Sequence, residues 1–426
     1  MILFTKTCQH PSHTVSASAD ASIRPTILNH HFLTAAILTL LAAVRLHAAN
    51  FDITKFGATP DDGTDDTLAI RAALEACGKA GGGTIIVPRG VFIVSRQKSE
   101  TPILSIPSMT TVRGTGHDST LKFDAKVNGS NFWRMLGSTT ESAEITIRDL
   151  HLDGANTHPG YVPGRTPEQN HGIFFYCKDG SIERVTVEDC LLENFSGDCV
   201  SFSQGCRGFT IRHVTVRNFL RQGIQMGGGK GDGGHLVTGC RDLEHTVRPG
   251  GTTIHVEHAE GGKGFRIEKN ACRQSLLVGG GAEDLVVRDN DVTGRIEGNS
   301  IRNGLFENNR LAGQGRQVLM QFGYANGLVI RGNTIRSTTE APGIYVWGAS
   351  RYNPAPSKNI TIERNTLDLP GQPISLNGVH GATVRGNQIT GSKARNVVEA
   401  KRCEALTIEP SPNAATPGNQ GTVNKF

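Results

Sequence analysis

The 426-residue chain has no apolar run long enough to cross a bilayer as a helix. That takes at least ~17–18 residues, and the longest stretch, Phe32 to Val44, has 13. Aromatic residues are scarce, at 6%, and charged residues make up only 19%. Neither sign of charge dominates. The formal charge is +5, and Lys6, Arg24 and Arg45 against Asp20 put +2 of it in the first 49 residues, leaving about +3 for the rest. With no run of five like charges, a nucleic-acid footprint is excluded. No G-X-Y period exists, so collagen is excluded too. What the chain has in excess is glycine, 52 residues, together with Val, Ile and Leu in short runs. That combination implies many short strands joined by tight turns.

The 13-residue apolar run is followed by Leu46-His47-Ala48-Ala49. Its length and small-residue ending are those of a signal-peptide core and cleavage site, not of an anchor. The expectation is a leader over 1–49 and a secreted or periplasmic protein. Eight cysteines would survive cleavage: Cys77, Cys177, Cys190, Cys199, Cys206, Cys240, Cys272 and Cys403. An even count in an exported chain permits disulfides without fixing their connectivity. Small buried thiols stacked in a core are the equal alternative, and the spacing matches no zinc motif.

A repeated phrase organises most of the chain. It reads Ile-Glu-Lys-Asn270, Val-Arg-Asp-Asn290, Phe-Glu-Asn-Asn309, Ile-Arg-Gly-Asn333, Ile-Glu-Arg-Asn365 and Val-Arg-Gly-Asn387. Degenerate copies end at Leu150, Cys190 and Val214. Each phrase precedes a glycine-containing turn and a second apolar run. Strands this short are stable only when stacked, at about 4.8 Å per rung, with inward side chains forming one apolar column. Each Asn is expected at a corner, in left-handed geometry, with stacked amides bonding along the ladder. Crossovers between parallel strands are right-handed. The fold expected is therefore all-β, a right-handed parallel β-helix over 50–410. A helix from Asp65 to Lys79, with Ile70, Ala73, Leu74 and Cys77 on one face and its start at Thr64 or Asp65, would cap its open end. Residues 411–426 read as a disordered tail.

The opening resembles that of the pectate lyase-like superfamily, in the branch with polygalacturonases, rhamnogalacturonases and related lyases and epimerases. The resemblance rests on Phe51-Asp52-Ile53-Thr54-Lys55-Phe56-Gly57-Ala58, on Asp61-Asp62-Gly63-Thr64-Asp65-Asp66-Thr67 and on Gly81-Gly82-Gly83-Thr84-Ile85-Ile86-Val87-Pro88-Arg89-Gly90. It implies a secreted β-helix acting on polysaccharide in a groove along one sheet. Polygalacturonases carry N-T-D, G-D-D and G-H-G motifs on successive rungs. Here the matching segments are Asn170-His171-Gly172, Gly197-Asp198-Cys199 and Arg221-Gln222-Gly223. Only Asp198 remains of the carboxylates. An inverting hydrolase needs two, roughly 6.5–9.5 Å apart, so ordinary polygalacturonase activity is not expected.

Aligning Ile173, Val200, Ile224 and Ile254 as inward-facing equivalents gives a column of His171, Asp198, Gln222 and Thr252 two places before them. Phe174, Ser201, Gln225 and His255 follow one place after, and Tyr176, Ser203, Gly227 and Glu257 three places after. Period-2 geometry sends the last two columns outward together. This arrangement suggests a lyase that cleaves a uronic-acid glycan by β-elimination. Asp198 would orient His171 and raise its basicity, Arg221, Lys178 or Lys230 would neutralise the substrate carboxylate, and Tyr176 would protonate the leaving oxygen. Gln222, Gln225 and His255 are further groove candidates, and Tyr345 and Trp347 could stack against sugar rings. One alternative is a hydrolase pairing Asp198 with Asp179, Asp232 or Glu257. Glu257, however, reads as too distant, about 10 Å by stacking and roughly 16 Å along the strand. The other is a non-catalytic glycan-binding protein, in which His171 and Asp198 are ordinary turn residues. No cofactor or metal is assigned, because carboxylates are too scattered for a calcium cage. The only expected partner is a polysaccharide.

Overall fold

In the computed structural model, the described residues are 49–124, 132–229, 231–257, 259–313, 315–349, 353–409 and the strand Thr422–Asn424. The expected leader and most of the expected tail, as well as Lys230, lie outside them. Thr422–Asn424 falls within that tail and pairs in parallel with Glu399–Lys401.

The short strands stack into three parallel sheets of 15, 12 and 13 strands. Each coil visits the sheets in turn. Ile182–Glu188 lies in the first, Leu191–Glu193 in the second and Val200–Phe202 in the third, before the chain climbs to Thr210–Arg212. The third sheet carries the candidate site and is called the groove sheet below. Its register is unbroken from Ile173 through Val200, Ile224, Ile254, Leu276, Ile296, Met320, Ile344 and Ile374 to Val398. All ten are buried. The alignment of Ile173, Val200, Ile224 and Ile254 made from sequence is the observed one.

The N-terminal helix spans Thr67–Lys79, two residues shorter than expected, and its N-cap is Asp66, not Thr64 or Asp65. The Asp65 carboxylate accepts from the Thr67 amide at 3.0 Å just ahead of the first turn. Ile70, Ala73, Leu74 and Cys77 are buried against the first coils, so the apolar column does not open to water at that end.

The phrase asparagines form a buried side-chain ladder. Asn270 Nδ2 donates to Asn290 Oδ1 at 2.9 Å, and the relay continues through Asn309, Asn333 and Asn365 to Asn387 at 2.9–3.0 Å. Each Oδ1 also accepts the backbone amide of the preceding member. The left-handed corner, expected at the Asn, falls one residue earlier. Lys269, Asp289, Asn308, Gly332, Arg364 and Gly386 have φ between +53° and +64°. That residue makes the bend and faces solvent, which leaves the Asn side chain free to turn inward and relay.

Two places before each Asn, charge alternates. Glu268, Arg288, Glu307, Arg331, Glu363 and Arg385 occupy one register position on six consecutive coils. They pair in twos, Arg288 with Glu268 at 2.8 Å, Arg331 with Glu307 at 2.6 Å and Arg385 with Glu363 at 2.7 Å. The eight cysteines are buried free thiols. Burial pushes Cys190 and Cys240 up to about 12, which makes them poor nucleophiles.

Candidate active site

A cleft of about 870 Å³ opens over the groove sheet between the coils of Arg134–Ser138 and Ile254–Glu257. His171, Phe174, Tyr176, Lys178, Gln225 and Glu257 all border it. The sequence reading therefore brings together its central residues. Of the His171 column, His171 itself borders the cleft, whereas Asp198 is fully buried beneath it. Arg134, His171 and Asp198 stand on consecutive rungs of one register line.

Their chemistry differs from the expectation. The Asp198 backbone amide donates to His171 Nδ1 at 2.8 Å, so in the neutral ring the proton sits on Nε2. Asp198 Oδ2 lies 3.4 Å from the same nitrogen but is held by Arg221 at 2.5 Å. His171 is only 2% exposed. Burial, reinforced by the guanidiniums of Arg134 and Arg221, pushes the imidazole well below its ordinary 6.5. Asp198 thus orients His171 through its backbone amide, while its carboxylate is turned to Arg221. His171 offers a proton-bearing nitrogen, the role of a donor. The sequence reading credited the carboxylate because it could not foresee that both groups would be buried.

Asp198 itself is fully buried. Burial pushes its carboxyl up to about 7 against the pull of Arg221, and Glu257 adds to the rise. Its other oxygen accepts the Gln222 amide at 3.1 Å. Arg221 bridges Asp198 and Glu257 at 2.5 and 2.6 Å. Burial opposes its charge, yet the two carboxylates hold it above the usual range. This corrects two expectations. Glu257 is not remote from Asp198, because one guanidinium spans the strand offset that backbone distances imply. Arg221 is also already engaged by two carboxylates and is not the open anion site it was taken for.

The glycine that replaces a polygalacturonase carboxylate has a local cause. A Cβ at Gly197 would come 2.6 Å from His171 Nδ1 and 2.6 Å from the Asn170 carbonyl. A buried His at 171 and a side chain at 197 exclude each other.

The open cation is Arg134, which the sequence reading missed. Its guanidinium lies 3.8 Å over the Phe132 ring and 4.5 Å over the Phe174 ring. Nη2 donates to Gln169 at 2.7 Å, while Nε is buried with no hydrogen-bond partner. Burial pulls its pKa down to about 10, so it remains a cation at neutral pH. Its signal was positional: Leu136 pairs with Ile173, which places Arg134 beside His171, but that coil lacks the Asn phrase.

The remaining candidates divide. Gln225 Oε1 accepts the Ser201 hydroxyl at 2.5 Å on the cleft floor. Gln222 turns aside: its Oε1 accepts from the Thr252 amide at 2.8 Å, and its Nε2 lies 3.0 Å from His255 Nδ1. Lys178 is exposed at the cleft edge. Asp232 is a turn residue, accepting the Gly205 and Gly229 amides at 2.8 and 2.7 Å. Tyr345 and Trp347 lie on the same sheet but seven rungs away, outside this cleft.

The cleft thus runs along one sheet of a parallel β-helix, floored by polar groups and walled by an arginine stacked on two phenylalanine rings. Residues 50–240 match the family "Rhamnogalacturonase A/epimerase, pectate lyase-like" and residues 252–409 match the right-handed β-helix region. These matches give a pectate lyase-like segment followed by a right-handed β-helix region, in agreement with the parallel β-helix seen in the structure. It is 25% identical over 264 residues to mannuronan C5-epimerase AlgE3 of Azotobacter vinelandii, covering 55% of this chain and 13% of that protein. Alginate lyase 7 of the same organism is 29% identical over 191 residues, covering 41% of this chain and 20% of that one. The chain thus spans only a small part of the length of these relatives. Among solved structures, the A-module of mannuronan C-5 epimerase AlgE4 from Azotobacter vinelandii superposes with a TM-score of 0.52 at 18% identity. That match covers 88% of this chain and all of that one, and it shows a shared fold.

Proposed function

We propose that the protein is a polysaccharide-active enzyme that withdraws the proton beside the carboxylate of a uronic-acid unit and completes the reaction as a β-elimination. The observation that carries this reading is Arg134, a buried cation stacked between two phenylalanines with one N–H unmatched, beside His171. A planar guanidinium of this kind suits a carboxylate. Neutralising that carboxylate acidifies the neighbouring carbon, and the His171 Nε2–H adds a second donor to the charge that develops. Tyr176, half-exposed on the same wall, is the proton carrier in this reading. Its hydroxyl delivers a proton to the β-oxygen as that bond breaks with its electron pair leaving on oxygen. The carbon-bound proton passes to water, from which the tyrosine is reprotonated, so atoms balance without a co-reactant. Similarity to an alginate lyase supports a uronate glycan as substrate.

Similarity to mannuronan C5-epimerases favours a second outcome of the same first step, return of a proton to the opposite face of the carbon. A hydrolase is less well supported, because Asp198 is covered and shares Arg221 with Glu257. The export expected from Phe32 to Val44 belongs to this proposal as well.

Incubation with alginate, pectate and glycosaminoglycans in heavy water tests it. New ultraviolet absorbance from unsaturated uronate supports elimination, and deuterium incorporation without absorbance supports epimerisation. New reducing ends with neither signal, or no reaction on any polyuronate, would overturn it.

A further inference from the structure

We infer that the groove sheet carries a second glycan-binding site, centred on Tyr345 and Lys401, which holds a distant stretch of the same polymer chain whose reacting unit lies in the main cleft. A separate cavity of about 280 Å³ lies there, bordered by Val318, Pro342, Tyr345, Ser375, Asn377 and Lys401. It sits on the same face of the same sheet as the main cleft. The line Phe174, Ser201, Gln225, His255, Leu277, Glu297, Gln321, Tyr345, Ser375 keeps one register throughout. Seven rungs separate His171 from Tyr345, roughly 34 Å at ~4.8 Å per rung. A tri- or tetrasaccharide in the main cleft falls short of that distance, and a polymer covers it.

Between the two sites, the parallel line two places on reads Gly279, Asn299 and Gly323, with the Trp347 ring lying over Gly323 at its far end. Glu297 and Glu399, which would repel a polyuronate, are matched by Arg295 at 2.6 Å and Lys401 at 2.9 Å. The cavity itself offers an aromatic ring, the Ser375 hydroxyl, an amide and, in Lys401, an exposed cation paired with Glu399 on one side only. Asn377 is positioned by both neighbours. Its Nδ2 lies 3.4 Å from the Tyr345 hydroxyl, and its Oδ1 accepts from Arg402 at 2.8 Å. Trp347, which the sequence grouped with Tyr345, has another task. Its ring lies over Gly323, where a Cβ would come within 2.5 Å, and meets Tyr324 edge-on at 4.6 Å. It props the rim, and Tyr345 is the contact residue.

The polymeric nature of the ligand rests on the proposed function, so the test separates the two. Affinity electrophoresis of the full chain through gels containing polymannuronate or polygalacturonate measures retention directly, with no turnover needed. Tyr345→Ala with Lys401→Glu is expected to weaken retention at least fivefold. Ser375→Trp, which fills the cavity without removing a charge, is expected to do the same, with the melting temperature checking that both variants fold. Retention within twofold of the parent in both folded variants overturns the second site. Retention that depends on Tyr345 in a protein that turns over no polyuronate keeps the second site and rejects the catalytic reading.

Discussion

Arg134→Met is the most informative substitution, because the structure separates its effect on chemistry from its effect on folding. The guanidinium makes one hydrogen bond, to Gln169, and two ring contacts. Losing the bond costs about 1 kcal/mol and losing the cation–π contacts about 1–2 kcal/mol. Against this, an apolar chain of similar length removes the desolvation penalty of a buried charge, which is a few kcal/mol and opposes these losses. These contributions nearly cancel, so the melting temperature should move by only a few degrees. Catalysis should respond very differently. Removing a preorganised charge aimed at a developing anion costs about 10²–10³ in rate, roughly 3–4 kcal/mol. Steady-state assay on the polyuronate turned over by the parent enzyme, beside calorimetry of both proteins, gives the two numbers. Arg134→Lys should recover part of the rate, since it keeps the charge but loses the planar fork. A kcat/KM for Arg134→Met within fivefold of the parent would refute the carboxylate role. So would a rate loss accompanied by collapse of the melting temperature, which would make Arg134 a structural residue.

Three further outcomes follow from the same geometry. Tyr176→Phe should abolish turnover with the fold intact, as seen by circular dichroism, and substantial residual activity would mean that another group carries the proton. Asn309→Ala leaves the Asn290 amide and side-chain NH₂ without their shared acceptor; at about 1–3 kcal/mol per stranded buried group it should destabilise by roughly 2–5 kcal/mol in chemical denaturation, and a loss under about 1 kcal/mol would count against the ladder. His235 is walled in by Phe202, Phe209 and Phe265, and burial pushes it down to about 3. The unfolded chain takes a proton there below about pH 6.5 and the folded chain does not, so stability is lost as pH falls from about 6.5 toward 3, at up to ~1.4 kcal/mol per pH unit. His235→Gln should flatten melting temperature against pH over that range, and an unchanged slope would place the titration elsewhere, with His171 the next candidate.

The fold was legible because the Asn phrase is both a spacing signal and a physical device. Its recurrence marks each coil, and its buried amides demand partners that only stacking supplies. The rung alignment then followed from the three segments that resemble the polygalacturonase motifs together with period-2 alternation, and it put His171 next to Asp198. Two kinds of information were lost. Degenerate coils carry no phrase, so Arg134 on the coil of Arg134–Ser138 had no marker beyond its distance from Leu136. Side-chain reach is also invisible in a backbone count, and so the Arg221 bridge to Glu257 overturned a separation argument that was sound for Cα positions. The direction of the His171 shift follows from its burial, which residue type alone does not announce and which the close approach of Gly197 accommodates.

The ion pairs beside the asparagine ladder impose a parity rule on the architecture. Since Glu268, Arg288, Glu307, Arg331, Glu363 and Arg385 change sign at every step, the true repeating unit is a doublet of coils. Excising a single coil would set arginine on arginine or glutamate on glutamate, whereas excising two restores every neighbour. A scaffold built this way lengthens or shortens by even numbers, and a register slip of one step is penalised along the whole flank at once.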